Sequence, residues 1–536
     1  MSKIGTQKVA SRKRQIAQSE IEQRRIRTLA RLADSSSADR GHPMTQSDNI
    51  HYEFSNRFGG TGFGGMAAVH RFVKRIGLDT EINQHLSVFK KRCPYYESDH
   101  VLNVAYNAMC GGQTLQEIEV RRNDEHYLNS IGAERIPDPT TSGDFCRRMN
   151  EQSIDDLQDA IDHVRLRVWK EQDSDFKKIA TIDMDSTIVE TTGECKGGMD
   201  LSFKGIWGYH PLVYTLAETG EVLRITNRSG NAQSGHNAFV GADKAISLCQ
   251  QAGFERIVLR GDTAFTQTDH LDRWDEDKVE FVFGIAAHAI LIEKALEIPA
   301  EQWKSVPRDP SYNPSTPNRL RPPKVKRQII AERGYKNHRL KEEVYAEVAY
   351  KPYKSKKTYR LVIVRKKRDV TEQGRLFEDD KYFFYISNLP AADQTSLDII
   401  YQSNARCNQE NIIAQLNSAR ALHAPVDELT SNWAYMVMAS LSWTLKAWIA
   451  LSIPEEPISA PKKATKHATT RARNQAVSKI KEGKKRLLAM EHRTFVEQFI
   501  RLPAIIVRSG RQLIVRLMSV NPCSDIFNQF LTAALE

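Results

Sequence analysis

Cysteine is scarce in this chain of 536 residues, and no two cysteines are close together in the sequence. The seven cysteines are Cys93, Cys110, Cys146, Cys195, Cys249, Cys407 and Cys523. Zinc modules and the disulfide frameworks of small secreted domains need short, repeated cysteine spacings. The sequence therefore argues against both kinds of module and favours a protein of a reducing compartment.

Long apolar stretches are also rare. The first residues, "MSKIGTQKVASRKRQIAQSEIEQRRIR", contain no apolar signal-peptide core. One segment, 432–453, resembles a membrane span in length, but Lys446 and several Ser and Thr residues interrupt it. We interpret it as a buried core helix and expect a soluble, cytoplasmic protein. No P-loop is present, so no nucleotide cofactor is expected.

Positive charge is in excess. Lys and Arg number 77 against 66 Asp and Glu, which gives a formal charge of +11 and a pI near 9.1. Such a balance favours a polyanionic partner, most often nucleic acid. The length suits two to four domains with a large buried core.

Composition and periodicity divide the chain into six segments. They are a basic, flexible N-terminal segment (1–65), a helical segment suited to DNA binding (66–172), the first part of an α/β core (173–290), a β-rich insertion (291–395), the second part of the core (396–453), and a basic linker with a helical C-terminal region (454–536). Within the helical segment, Arg147 and Arg148 lie in a short helix and suit a DNA contact, although a plain packing domain fits the pattern equally well.

The core segment has a recognisable order of elements. "KIATIDMDST" predicts a strand, "HPLVYTLAETGEVLRITN" a hairpin, and "SGHNAFVGADKAISLCQQAG" a helix that stops at Gly253. "ERIVLRGD" and "KVEFVFGIA" predict two further strands on either side of a short helix. Three antiparallel strands followed by parallel strands with crossover helices are the order of an RNase H-like fold.

Two aspartates, Asp183 and Asp185, stand at the end of the first core strand, and two enzyme classes fit them. Phosphatases of the haloacid dehalogenase type begin with D-x-D-x-T and need a later acidic motif. "GDTAFTQTD" offers Asp262 and Asp269, but with too many residues between them. A hairpin also occupies the place where a crossover helix should follow the first strand. The phosphatase interpretation is therefore disfavoured.

In an RNase H-like sheet the first strand lies beside the fourth, so Asp185 and Asp262 are expected to end neighbouring strands at one edge. Two carboxylates there can bridge divalent cations roughly 3.5–4 Å apart, and Mg²⁺ suits oxygen ligands. Either Asp183 or Asp185 can be the ligand from this strand, and Asp185 is the one that reaches the end of the strand.

A third acid is expected from a helix near that edge, and "ARCNQENIIAQLN" supplies Glu410. Arg406, Glu410 and Asn417 are predicted to share one helical face, where Arg406 can clamp a phosphate with two hydrogen bonds. Glu343 and Glu347 are rivals, but they fall on predicted strands at positions expected to face solvent.

These motifs resemble a DDE transposase of a bacterial insertion sequence whose RNase H-like core is interrupted by a β-rich insertion. Among such enzymes the chain is most similar to the insertion-sequence family called thirteen-eighty. The matching pieces are "DMDST", "LRGDTAF", a Y-x4-R-x3-E-N segment, and "RLPAIIVRSGRQLIVRL" near the C-terminus. The fold implied is an α/β RNase H-like core with helical DNA-binding regions on both sides, the first of which, 66–172, would bind end DNA.

The resemblance implies particular residues and partners. Asp185, Asp262 and Glu410 would be the catalytic acids and would hold two Mg²⁺ or Mn²⁺ ions, while Tyr401, Arg406 and Asn417 would contact substrate DNA. The family signature departs here at two positions: Ser403 stands where a Tyr is expected, and Asn417 stands where a Lys is expected.

The implied reaction is cleavage at the ends of the element, followed by joining of the freed 3′-hydroxyls to target DNA. The implied partners are terminal inverted repeats and target DNA, with a homodimer on paired ends at the bacterial nucleoid and no membrane. The alternative function is that of a DNA-binding protein that descends from a transposase and no longer cuts.

Overall fold

The computed structural model describes residues 22–27, 29–30, 59–92, 94–193, 195–307, 337–372, 375–454, 466–509, 512–518 and 524–535. Most of the predicted flexible N-terminal segment, and the Pro-rich basic stretch 308–336 of the insertion, lie outside these residues. The chain is a mixed α/β protein built on a large sheet, and this part of the predicted fold class is confirmed. The five cysteines whose state is described, Cys110, Cys146, Cys195, Cys249 and Cys407, are free.

The helices are numbered in chain order: α1 Met66–Ile76, α2 Leu78–His85, α3 Glu97–Met109, α4 Ile118–Arg122, α5 Glu125–Ile131, α6 Pro139–Arg148, α7 Glu151–Lys170, α8 Ala238–Ala252, α9 Leu271–Glu276, α10 Ala289–Leu296, α11 Ser396–Ala405, α12 Cys407–Ser418, α13 Leu429–Leu451, α14 Lys466–Leu488, α15 His492–Phe495 and α16 Ser524–Leu535.

The strands are β1 Gly60–Thr61, β2 Ile179–Ser186, β3 Val189–Glu190, β4 Asp200–Leu201, β5 Trp207–Tyr209, β6 Leu212–Leu216, β7 Glu221–Thr226, β8 Arg256–Gly261, β9 Glu280–Ile285, β10 Lys304–Ser305, β11 Asn337–Tyr350, β12 Tyr359–Glu372, β13 Arg375–Ser387, β14 Ala504–Ser509 and β15 Gln512–Leu517. Short 3₁₀ turns cover Leu115–Glu117, Phe176–Lys178 and Ala300–Gln302, and a π-helical turn covers Val496–Ile500.

The main sheet has nine strands in the order β10-β11-β12-β13-β9-β8-β2-β6-β7. Strand β6 pairs antiparallel with both β2 and β7, whereas β8 runs parallel to β2 and β9 runs parallel to β8. The first strand of the core therefore lies between its second and its fourth strand. Helix α8 supplies the crossover between β7 and β8 and packs on β2, β6, β7 and β8.

The β-rich insertion extends this sheet. Strand β13 pairs antiparallel with β9, with Phe384 opposite Ile285, and β12 and β11 continue the ladder outward. The alternation of Val, Ile, Tyr and Phe in these strands favours a pleated surface with one buried face. The insertion is thus continuous with the core sheet through backbone hydrogen bonds.

Helix α13 lies at the centre of the fold. It is the one helix in the described ranges that is long and apolar enough to cross a membrane, and the apolar stretch that meets this test is buried within the protein along its whole length. Lys446 lies in its buried interior, where its ammonium donates to the carbonyls of Leu488 and Met490 at 2.8 and 2.7 Å. These bonds explain how a lysine fits inside a core helix.

Glu221, at the start of β7, joins the N-terminal helical segment to the core. Its buried carboxylate accepts hydrogen bonds from Arg165 Nε (3.1 Å), Trp169 Nε1 (2.9 Å), Trp448 Nε1 (2.7 Å) and Thr219 Oγ1 (3.0 Å). The donors come from α7, α13 and the β6–β7 turn. A buried carboxylate is tolerated when its oxygens are fully hydrogen-bonded, as here.

The prediction that the C-terminal region is helical is wrong over 504–517. Strands β14 and β15 form an antiparallel hairpin there, and β14 also pairs with β1. The β-branched residues in "AIIVRS" and "QLIVRL" favour strands. Conversely, much of the predicted basic linker is helical from Lys466 onward, as α14.

Candidate active site

Asp183 is held in the interior of the sheet by an arginine of the neighbouring strand. It is fully buried, and both of its oxygens accept hydrogen bonds at 2.7 Å, from Nε and Nη2 of Arg260. Burial raises the pKa of Asp183, and the guanidinium of Arg260 opposes that shift. Such a two-point ion pair satisfies the carboxylate and leaves it no open side for substrate.

Asp185 lies two residues further along β2, close to the edge of the sheet. Its side chain is 15% exposed, one oxygen accepts from the backbone N–H of Ser186 at 2.8 Å, and the other accepts from Arg406 Nη1 at 3.2 Å. Burial raises the pKa of Asp185, and the negative charge of Asp262 adds to this effect. The Ser186 N–H and Arg406 act in the opposite direction.

Asp262 follows directly on β8. Because Asp183 is aligned with Arg260 in the parallel β2–β8 ladder, the positions two residues further on are Asp185 and Asp262. One oxygen of Asp262 accepts from the backbone N–H of Ala264 at 2.8 Å. The turn is tight at Gly261, where a Cβ would lie 2.8 Å from Cβ of Phe265. The two aspartates therefore end adjacent strands at one edge.

The start of α12 docks on the same edge. Arg406 lies at the junction between α11 and α12, rather than inside one continuous helix. Gln409 is buried, donates from Nε2 to the Val213 carbonyl at 3.2 Å and accepts from the Thr215 hydroxyl. Glu410 follows it and is exposed. Gln409 thereby fastens the first turn of α12 to β6, next to the strand that carries Asp185.

The three predicted acids are not all within one ligand shell. Among the described residues, the group whose ligand atoms lie within 4.8 Å of one another is Glu81, His85 and His163, and it does not include Asp185, Asp262 or Glu410. The β2–β8 register places Asp185 and Asp262 side by side at the edge, and Glu410 is exposed on the adjoining helix turn.

The predicted DNA-contact residues are dispersed. The hydroxyl of Tyr401 donates to the Pro307 carbonyl at 2.9 Å. Asn417 is exposed near the end of α12, roughly 16 Å along the helix axis from Arg406 at about 1.5 Å per residue. Of these three residues, Arg406 is the one that touches a predicted catalytic acid.

The rival glutamates take part in ion pairs within the sheet. Glu347 pairs with Arg360 through two bonds of 2.7 and 2.8 Å, and Glu343 lies 3.2 Å from Lys366 on the adjacent strand. Glu343 is buried, so the expectation that it faces solvent is wrong. Cross-strand pairing with a long lysine covers it.

The sequence analysis did not predict the roles of two residues that are important to this geometry, Arg260 and Gln409. A signal for Arg260 was present: "DMD" and "RGD" carry the same two-residue spacing on strands predicted to be parallel neighbours. Alignment of the outer aspartates also aligns Asp183 with Arg260. No comparable local signal indicates that Gln409 faces inward.

The donor set fits a hard divalent cation. Asp185 and Asp262 offer carboxylate oxygens, and their mutual repulsion contributes to the raised pKa of Asp185. A cation between them would relieve that repulsion, and oxygen ligands of this kind suit Mg²⁺ or Mn²⁺. The pair can therefore serve phosphoryl-transfer chemistry.

One of three comparisons with known proteins identifies a family. No curated protein matches the chain. A cryo-EM structure of a piggyBac transposase synaptic complex with hairpin DNA aligns over 85% of this chain and 89% of its own, at 10% identity and a TM-score of 0.36, which is too low to support an inference. The family model "Transposase DDE domain group 1" matches residues 57–471, more than half of the sequence. The chain therefore belongs to the group 1 family of DDE-domain transposases, enzymes that generally use divalent metal ions.

Proposed function

We propose that this transposase cuts the ends of a bacterial insertion sequence, of the type called thirteen-eighty, and joins the freed 3′-hydroxyls to target DNA. Asp185, Asp262 and Glu410 are the proposed catalytic acids. The observation that carries the proposal is the alignment of Asp185 with Asp262 at one edge of the sheet, with Arg406 and the first turn of α12 docked beside them.

The strand order supports an RNase H-like core. Three antiparallel strands, β7, β6 and β2, are followed across the sheet by the parallel strands β8 and β9. A phosphatase of the haloacid dehalogenase type is disfavoured on two grounds. The next strand of the main sheet, β6, runs antiparallel to β2, and Asp183, the first acid of the D-x-D motif, is buried against Arg260.

The proposed chemistry is in-line displacement at a phosphodiester. Two Mg²⁺ or Mn²⁺ ions, when bound, would neutralise charge on the entering and leaving oxygens. Asp185 and Asp262 would hold them at the sheet edge. Glu410 would supply the third carboxylate from the adjoining helix turn, where its exposed side chain can reorient toward the pair.

Arg406 is proposed to bind the phosphate next to the cut. Its guanidinium already lies 3.2 Å from Asp185 through one nitrogen, which leaves its other donors for phosphate oxygens. Asn417 and Tyr401 are proposed to contact DNA further from the reacting phosphate.

The excess of positive charge supports contacts with the backbones of the inverted repeats and of target DNA. The helical segment 66–172 is proposed to bind end DNA, although Arg147 is engaged with Asp427 and Asp144 at 2.8–3.0 Å. We propose a homodimer on paired ends that works at the nucleoid in the cytoplasm.

One observation favours a second candidate, a DNA-binding protein that no longer cuts: Asn417 stands where the resemblance expects a Lys. A nicking assay separates the two functions. Purified protein is incubated with Mg²⁺ and labelled duplex that contains the element end. Strand cleavage that disappears in Asp185→Asn supports the transposase, whereas tight binding without cleavage in wild-type protein supports the alternative.

A further inference from the structure

Two large aromatic side chains are exposed together beyond the candidate active site. Phe203 is 77% exposed and Trp207 is 51% exposed, and within the part of the chain that the structure describes they are the exposed members of their residue types. Leu201 is exposed beside them. A concentrated apolar surface of this kind marks a binding site more often than chance exposure does.

These residues belong to a small three-stranded sheet, β3-β5-β4, which is inserted between β2 and β6. Leu201 and Trp207 are direct cross-strand partners, and Phe203 lies in the turn between them. The turn is closed by hydrogen bonds from Ile206 N–H to the Ser202 hydroxyl (3.1 Å) and from Ser202 N–H to the Ile206 carbonyl (2.8 Å). The aromatic side chains are therefore presented by an ordered turn.

The other side of the small sheet is fastened to the body of the protein. The Tyr209 hydroxyl donates to the Gly197 carbonyl at 2.9 Å, and the Lys196 ammonium donates to the carbonyls of Val426 (2.8 Å) and Ala424. At Gly208 a Cβ would lie 2.1 Å from the Val189 carbonyl oxygen, so the strands approach closely. This anchoring removes much of the entropy cost of presenting a rigid platform.

The small sheet β3-β5-β4, which presents Phe203 and Trp207, follows in the chain directly after β2, the strand that carries Asp185. The backbone N–H of Thr191 donates to the Trp207 carbonyl at 3.0 Å, so Trp207 lies beside a residue six positions after Asp185. At about 3.3 Å per extended residue, the two backbones are at most roughly 20 Å apart. That is about six steps of DNA at 3.4 Å each. DNA seated at Asp185 would therefore run within reach of Phe203 and Trp207.

The exposed side chains at the β4–β5 turn are suited to bind nucleobases. Flat aromatic faces stack on bases, at roughly 1–3 kcal/mol per base. The ammonium of Lys204 lies 5.5 Å from the Phe203 ring centroid and adds a positive charge that suits a phosphate backbone. The carboxylate of Asp200 is bonded to the Leu201 N–H and to Asn231, which partly offsets its charge.

We propose that Phe203 and Trp207 stack on unpaired bases of the DNA strand that flanks the cleaved phosphate. This inference rests on the proposed function for its location, because the acids at Asp185 and Asp262 define where the DNA lies. A fully paired duplex hides its base faces, so the platform should favour DNA with unpaired positions near the cut.

The test uses the full chain with Asp185→Asn, so that binding is measured without cleavage. End-containing duplexes carry 2-aminopurine at one of the six positions next to the cut, either paired or in a mismatch. Stacking should quench 2-aminopurine fluorescence at one or two mismatched positions. Adding Phe203→Ala or Trp207→Ala should remove the quench and weaken binding to mismatched DNA by about tenfold, while changing binding to paired DNA much less.

Three further variants test whether an aromatic ring at this position causes the quench. Tyr353→Ala, which removes a fully exposed aromatic elsewhere, should behave like the parent. Trp207→Phe should keep most of the quench, and Trp207→Leu should lose it. Unchanged quenching in both alanine variants, or full retention by Trp207→Leu, would overturn the proposal.

Sedimentation velocity tests the alternative that Phe203 and Trp207 form a protein–protein contact. If the alanine variants change self-association and leave the fluorescence unchanged, the aromatic pair serves a protein interface and the proposal is wrong. Failure of the proposed function is distinguishable, since wild-type protein would then bind end DNA without cutting it in the nicking assay, whatever the fluorescence of the 2-aminopurine duplexes shows.

Discussion

Arg260 donates hydrogen bonds of 2.7 Å to both carboxylate oxygens of Asp183 inside the sheet. Asp262 and Asp185 lie two residues further along the same two strands. The inner pair has opposite charges and is buried. The outer pair has like charges and lies at the edge. Asp183 therefore stabilises the sheet through its ion pair with Arg260, and Asp185 is the acid that substrate can reach.

Asp183→Asn should therefore destabilise the protein, whereas Asp185→Asn should not. Loss of one partner leaves the Arg260 charge buried without compensation, which typically costs about 3–5 kcal/mol. Urea denaturation measures the free energy of unfolding of each variant, and the nicking assay measures cleavage. The double variant Asp183→Leu/Arg260→Met should recover much of the lost stability.

An Asp183→Asn protein with wild-type stability and no cleavage would contradict this division of roles. So would an Asp185→Asn protein that cuts normally, because the catalytic assignment would then move to Asp183.

Glu410→Gln should give a folded protein that binds end DNA but neither nicks nor joins it in Mg²⁺. The substitution keeps size and helix propensity and removes the charge expected of a third ligand. Glu347→Gln is the matched control, because it removes a glutamate that pairs with Arg360 in the sheet. Wild-type cleavage by Glu410→Gln, together with an inactive but folded Glu347→Gln, would show that the third acid is misplaced.

The buried Lys446 should make stability depend on pH above neutrality. Burial lowers its pKa from 10.5 to about 7. The unfolded chain therefore binds more protons than the folded chain between about pH 7 and pH 10, and stability rises with pH through that window. The shift corresponds to roughly 5 kcal/mol.

Lys446→Met should remove that dependence. We expect the difference in unfolding free energy between variant and wild type to favour the variant most near pH 7 and to shrink toward pH 10. Chemical denaturation at three pH values measures it. His492, which lies near Lys446, has its pKa lowered to about 4 and does not titrate in this window. Parallel stability curves for the two proteins would refute the prediction.

DNA binding should be strongly salt-dependent. A net charge of +11 and several Lys/Arg clusters imply many phosphate contacts, each of which releases condensed cations. Fluorescence anisotropy with end-containing duplex over a series of salt concentrations gives the slope of log K against log salt. A slope shallower than about −3 would argue against a broad phosphate interface.

The sequence alone determined much of the core. Apolar runs that end in acids, a hairpin between them and helices at crossover positions were enough to predict a mixed α/β chain, the strands that end at Asp185 and Asp262, and the strands of the insertion. These features are local, because strand period, turn residues and helix stops act over a few neighbouring residues.

The tertiary structure decided what local patterns leave open. Only the β2–β8 register shows that Asp183 meets Arg260 while Asp185 reaches the edge, because pairing between strands about eighty residues apart in sequence is a long-range property. The same holds for Gln409, which faces β6 from a helix far along the chain. The segment 504–517 forms a hairpin, and its strand β14 also pairs with β1 from the other end of the chain, a partner that the local sequence does not reveal.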